Sequence, residues 1–292
     1  MKQGMLLLAM VGLAWLKVEA QSESNTEDHC SVCKNHVHIS ENPYRLDFKG
    51  EVPFIIASGS ILGAGFLISA LDDTKPFTEE QLANLNIRSI NSFDRRSVFN
   101  QSSSAASASD YIRTGITIFP LLLLTEHHTK QDISALLVMS AEVMAITYGL
   151  TATTKNLANR TRPNTFNPAT PLDERTSSGS RESFFSGHTS HTAAASFFLA
   201  KVISDYHPNM ARGKKIALWT LAAGIPATTA YLRVKAGKHF PTDVMAGYAV
   251  GAVTGWLIPH LHKAERPNFF GKLNWQVYPA AGGMQVSLRL GL

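Results

Sequence analysis

A chain of 292 residues can bury one large core or two small ones, and 45% hydrophobic residues with a mean hydropathy of -0.02 argue against a protein held mostly in lipid. The formal charge of +5 is spread over scattered Lys and Arg, with no block of like charge. That pattern excludes a nucleic-acid-binding arm and fits an anionic small ligand or an anionic membrane surface.

Residues 1–20, MKQGMLLLAMVGLAWLKVEA, set Lys2 before an apolar run from Met5 to Leu16 and end in Val18-Glu19-Ala20. This is the layout of a secretory signal peptide cleaved after Ala20. Lys17 shortens the apolar run, so an uncleaved anchor is the alternative; both readings export the chain to the periplasm or cell envelope. Residues 21–50 are polar and hold both cysteines, Cys30 and Cys33. In an exported chain a C-x-x-C pair is most simply a small-loop disulfide. Haem attachment would need a histidine where Lys34 stands, and a metal site with His29, His36 and His38 is the competing reading.

From residue 51 to 266 apolar runs alternate with polar loops, among them VPFIIASGSILGAGFLISAL, ISALLVMSAEVMAITYGLTATT, TAAASFFLAKVIS, KIALWTLAAGIPATTAYL and VMAGYAVGAVTGWLIPHL. Their length, their Ala, Leu and Met content and their few turn residues predict an all-α fold, a bundle of about six core helices. Thr78 with Gln81 three residues on forms a capping box, and QSSSAASASD from Gln101 reads as a flexible polar linker. In the tail, residues 267–292, apolar residues alternate on either side of Gly282-Gly283, the pattern of a short β-hairpin. A lone hairpin is marginal and must pack on the helical body or a partner.

Pro53 to Leu71 is nearly long enough to cross a bilayer, whereas Pro120, Glu142, Lys201 and Pro226 interrupt the other runs. With an exported N-terminus, six spans would place the basic loop ARGKK outside, against the positive-inside tendency. A periplasmic helical domain with apolar surface, associated with the membrane, is favoured over an integral one.

Three polar clusters meet predicted helix ends. In KNLANRTRP, Lys155 and Arg162 are seven residues apart, so one helix face carries both, about 10 Å apart along the axis, and Pro163 stops the helix. In SFFSGHTSH, Ser183 and Ser186 can cap a helix whose free N–H groups and dipole suit an anion, with Gly187 allowing close approach. In LRVKAGKHFPTD, Pro241 opens a helix and Asp243 in its first turn can reach back to His239, leaving the other imidazole nitrogen as nucleophile or base. Each cluster alone has an ordinary explanation: a solvated basic face, a helix cap, a surface hydrogen bond.

In combination they resemble the type 2 phosphatidic acid phosphatase (PAP2) family, which also includes bacterial class A acid phosphatases and vanadium haloperoxidases. The family pattern is K-x6-R-P, then P-S-G-H, then S-R-x5-H-x3-D. This chain shows Lys155 through Arg162-Pro163, Ser186-Gly187-His188, and Arg233 through His239 to Asp243. Phe185 stands in place of the family's Pro and Leu232 in place of its Ser; neither position supplies a charge.

The resemblance implies that Lys155, Arg162, Arg233, Ser186 and Gly187 hold a phosphate. It also implies that His239, oriented by Asp243, attacks phosphorus to give a phosphohistidine, and that His188 protonates the leaving oxygen and then activates water. Neither a metal nor another cofactor is expected. The expected substrate is a phosphorylated lipid, or alternatively a small phosphate ester of the kind a soluble periplasmic acid phosphatase takes. Vanadate-dependent halide oxidation and non-catalytic phosphate binding are the other readings. His191, one turn after His188, is expected in a supporting or solvent-facing role, and Lys235 and Lys238 either draw anions inward or are solvated. A network of Asp94, Arg95 and Asn100 is expected in FDRRSVFN, and Glu142 is expected to be paired or on a polar face.

Overall fold

The computed structural model describes residues 43–44, 48–118, 123, 129 and 132–263, together with the backbone of 273–280 and 283–290. The predicted signal peptide and the pair Cys30 and Cys33 lie outside the described residues. Nine helices are formed among those described. Six are long: α1 (Phe48–Leu71), α4 (Ser103–Ile118), α5 (Ile133–Ala158), α7 (Gly187–Tyr206), α8 (Arg212–Lys235) and α9 (Pro241–Leu261). Three are short: α2 (Glu79–Ala83), α3 (Ser92–Arg95) and α6 (Leu172–Arg175).

Helix α7 lies at the centre and packs against α4, α5, α8 and α9. Its small residues let neighbours come close: Ala193, Ala194 and Ala195 are buried, as are Phe198, Leu199 and Val202. On α9, Gly247, Gly251 and Gly255 recur every four residues and face α7, where a Cβ on Gly251 would stand 2.1 Å from the Ser190 carbonyl oxygen. Met139 and Val143 of α5, Phe198 and Val202 of α7 and Ile258 of α9 form the main apolar cluster. Each such side chain contributes roughly 1.5–3 kcal/mol by leaving water. A smaller cluster of Ile90, Val98 and Phe240 underlies the loop that carries His239.

Two expectations are corrected. The stretch from Gln101 is not a linker, because α4 begins at Ser103, with the Ser102 hydroxyl accepting from the Ala105 N–H at 3.2 Å. Alanine is the best helix former, and Ala105 and Ser109 are small enough to be buried where α4 meets α7 and α8. Pro226 does not interrupt its run either: α8 is continuous through it.

Among the described residues, three segments are long and apolar enough to cross a membrane: Glu51–Leu71, Ile133–Thr165 and Pro241–Leu261. Large apolar side chains remain exposed along α1 (Ile56, Phe66, Leu71), α8 (Ile216, Leu221) and α9 (Met245, Val253). Surface of this kind on several helices supports membrane association.

Candidate active site

The N-terminus of α7 forms one wall. Ser186 is its N-cap and is fully buried, and its hydroxyl oxygen accepts from the Thr189 N–H at 3.4 Å and from the Thr189 hydroxyl at 3.0 Å. Both bonds use oxygen lone pairs, so the Ser186 proton is left to donate. The first N–H groups of the helix have no intrahelical acceptor. A Cβ on Gly187 would stand 3.0 Å from Thr151 Cγ2, so only glycine fits comfortably there.

The cations come from three places. Lys155, in the last turn of α5, lies 3.6 Å from Glu182. The predicted single helix face with Arg162 is not formed, because α5 ends at Ala158 with Asn159 in the left-handed region, φ 43°. Asparagine tolerates that conformation better than most residues. Arg162 therefore stands in extended backbone before a 3-10 turn, its N–H donating to the Ser180 carbonyl at 2.8 Å. Arg233, in the last turn of α8, donates to the Ser109 hydroxyl at 3.3 Å. The Nε atoms of both Arg162 and Arg233 are buried without a hydrogen-bond partner. Burial, together with repulsion from Arg162 and Arg113 against the pull of Asp110, brings the Arg233 guanidinium down to about 10. Unsatisfied buried guanidinium groups are costly unless an anion completes them.

His239 is only 1% exposed and follows a turn that glycine alone permits: Gly237 has φ +69°, and a Cβ there would stand 2.1 Å from the Asn100 carbonyl oxygen. Its orientation differs from expectation. Nδ1 lies 2.7 Å from the Ser183 carbonyl oxygen, whereas the Asp243 carboxylate is 3.9 Å away. A carbonyl oxygen can only accept, so Nδ1 carries the proton and Nε2 holds a lone pair. Burial, then Arg233, Arg162 and Lys155, hold the ring well below the usual imidazole range, so it is neutral at physiological pH.

Asp243 is engaged elsewhere. It accepts from the Ser183 hydroxyl at 2.5 Å, from the Phe240 N–H at 2.8 Å and from Arg160. Arg160 also pairs at 2.8 Å with Asp94, which accepts from the Thr242 N–H at 3.0 Å and its hydroxyl at 2.6 Å. The network expected around Asp94 is thus built on Arg160 and Thr242. Arg95 instead donates to the Ile90 carbonyl, and Asn100 to the Val234 carbonyl.

His188, in the first turn of α7, places Nε2 2.6 Å from Asp110 Oδ1 on α4. Burial, then Arg233 and Arg113, lower its proton affinity, and Asp110 opposes them only in part because its side chain is 55% exposed and screened. His191 is buried rather than solvent-facing; its ring lies on Tyr148 with centroids 3.9 Å apart, and neither ring nitrogen has a hydrogen-bond partner. Lys238 pairs with Glu174 at 2.6 Å, and Lys235 reaches over the Tyr231 ring.

Lys155, Arg162 and Arg233 all act on His239, with the α7 N-terminus beside them, a geometry able to hold one tetrahedral oxyanion against a neutral imidazole. Asp110, Arg113 and Arg160 were not foreseen. Asp110 and Arg160 join the site through contacts 78 and 83 residues apart in sequence, which no local pattern announces.

Residues 136–267, which contain every motif residue from Lys155 to Asp243, match the PAP2 superfamily. The chain is also similar to a lipid A 4'-phosphatase of Porphyromonas gingivalis, with 27% identity over 112 residues, 38% of this chain and 43% of that protein. The chain thus spans less than half the length of this curated relative. Among solved structures, a transmembrane PAP2-type phosphatidylglycerolphosphate phosphatase from Bacillus subtilis shares 21% identity at a TM-score of 0.44, over 72% of this chain and all of that one.

Proposed function

We propose that this chain is a PAP2-type, membrane-associated phosphatase of the cell envelope that hydrolyses lipid-linked phosphomonoesters or diphosphates. The observation that carries the reading is the pairing of a neutral His239, protonated on Nδ1, with Arg162 and Arg233, whose buried Nε atoms have no hydrogen-bond partner. Lys155, Arg162, Arg233, the Ser186 hydroxyl and the Gly187 N–H hold the phosphate oxygens and stabilise the charge that spreads over them. His239 Nε2 forms a bond to phosphorus while the bond to the leaving oxygen breaks, and His188 gives that oxygen a proton. His188 then takes a proton from water, whose oxygen attacks phosphorus and breaks the P–N bond, releasing phosphate. None of these steps needs a metal.

Three segments apolar enough to cross a membrane and the likeness to a protein named for a lipid A phosphate favour a lipid substrate over a soluble ester. Phosphate release from detergent-solubilised protein, measured across phosphatidic acid, an isoprenyl diphosphate, a lipid A phosphate and a small phosphomonoester, tests the proposal. Turnover confined to the small ester would replace the lipid reading with that of an acid phosphatase. Vanadate-dependent peroxidase activity without phosphate release would replace both, and turnover unchanged by His239→Ala would end the phosphohistidine mechanism.

A further inference from the structure

A second constellation of chemical groups sits far from the phosphate cradle. Glu142 is thirteen residues before Lys155 on α5, about 20 Å along the helix axis. It meets Glu51 from the first turns of α1 and His262 immediately after α9. One ligand-capable atom from each of the three lies within 4.8 Å of the others. His262 Nε2 is 2.7 Å from Glu51 Oε2 and 3.2 Å from Glu142 Oε2. All three residues are buried, with exposures of 7% for Glu51, 3% for Glu142 and 2% for His262.

His262 Nδ1 lies 2.8 Å from the Ile258 carbonyl oxygen, which can only accept, so the Nδ1 proton is fixed there. The Nε2 lone pair of the neutral ring and oxygens of two carboxyl groups then converge on one buried point, where neither Glu142 oxygen has a hydrogen-bond partner. Among the described residues, the charged partner of both glutamates is His262.

A divalent cation suits this convergence of three ligand atoms, because two carboxylates balance its charge and the imidazole stays neutral. The Nδ1–H bond to a backbone carbonyl is the outer support that orients a metal-ligating histidine. One imidazole nitrogen and two carboxylate oxygens suit zinc, whose ligand atoms at about 2.0–2.2 Å from the ion need only small shifts from the spacing seen. Calcium and magnesium prefer sets built of oxygen and of higher number. We propose that Glu51, Glu142 and His262 bind one zinc-class divalent cation that fastens the start of α1 and the middle of α5 to the end of α9. The site is structural, and the phosphoryl chemistry does not pass through it.

The test uses the full chain in detergent with Cys30 and Cys33 replaced by serine, so that the N-terminal thiols do not contribute. Metal content and zinc titration are expected to give one zinc per chain. Glu142→Gln is expected to weaken zinc binding on the order of a hundredfold or more, beyond the effect of losing an outer-shell partner, while Lys155→Ala leaves it unchanged. A chelator should lower the melting temperature and added zinc restore it. X-ray absorption at the zinc edge of the parent protein, which needs no further variant to fold, should show one imidazole nitrogen with carboxylate oxygens. Zinc bound equally well by a folded Glu142→Gln protein, a first shell without that nitrogen and oxygen set, or no stoichiometric zinc at all would overturn the proposal.

Discussion

His188 and Asp110 form a close contact across two helices, Nε2 to Oδ1 at 2.6 Å, and the same carboxylate lies 3.9 Å from the Arg233 guanidinium. The aspartate therefore touches both the expected acid and one of the expected phosphate ligands. Its charge raises the proton affinity of His188, against burial and the nearby arginines. Asp110→Asn should move the alkaline limb of the kcat profile to lower pH, with a loss on the order of tenfold in the rate above that limb for each pH unit moved. A pH–rate profile of the two proteins checks this, and coincident profiles would remove Asp110 from the site.

The wild-type pH dependence follows from the directions of the two histidine shifts. In the proposed mechanism His188 must be protonated to release the leaving group, and its proton affinity is lowered, so activity should fall as pH rises through that depressed value. The same mechanism needs a neutral His239, which is held well below the usual range, so acid should not silence it until much lower pH. Turnover should therefore be highest on the acid side of neutrality, measured as kcat in buffers of constant ionic strength.

Asp243→Asn separates two roles. Because Asp243 holds the loop through Ser183, Phe240 and Arg160 rather than the His239 ring, its loss should unfold the loop as well as slow the reaction. Removing one partner of a buried ion pair costs about 3–5 kcal/mol. The melting temperature and the activity of Asp243→Asn should fall together, with Arg160→Met behaving alike. An inactive Asp243→Asn protein of unchanged melting temperature would restore Asp243 to a direct role on the ring.

Arg233→Lys and Arg162→Lys keep the charge but lose the planar fork. Each should lower kcat/KM by roughly 10²–10³, the usual cost of a lost transition-state donor, with the fold intact by circular dichroism. Equal activity in both variants would show that charge alone suffices.

Gly251→Ala should destabilise by about 1–3 kcal/mol or more, since its methyl would meet the Ser190 carbonyl oxygen at 2.1 Å. Gly59→Ala, with nothing within 4 Å of the new atom, should be neutral or stabilise α1 by up to about 1 kcal/mol. Thermal melts of the two variants give the comparison.

The sequence made the long helices legible because α5, α7 and α9 are long apolar runs with few turn residues, and it made the motif residues legible because their spacing is local. Helix α4 was hidden by its serines, which resemble a linker until Ala105 and Ser109 are seen to fit against neighbouring helices. The end of α5 was missed because a left-handed Asn159 stops it four residues before Pro163. The partner of His239 was missed for a different reason. A backbone carbonyl, that of Ser183, took the place assigned to a carboxylate, and backbone acceptors leave no mark in residue identity.

The ties of Asp94 to Arg160 and Thr242 span 66 and 148 residues of chain. Contacts so distant form late in folding, since the entropy of closing long loops must be met before they stabilise anything. The helices can therefore come together before the His239 loop has its final position. A chain carrying Asp94→Ala would keep every motif residue yet lack the anchor that holds the loop, and is expected to be helical and slow to turn over.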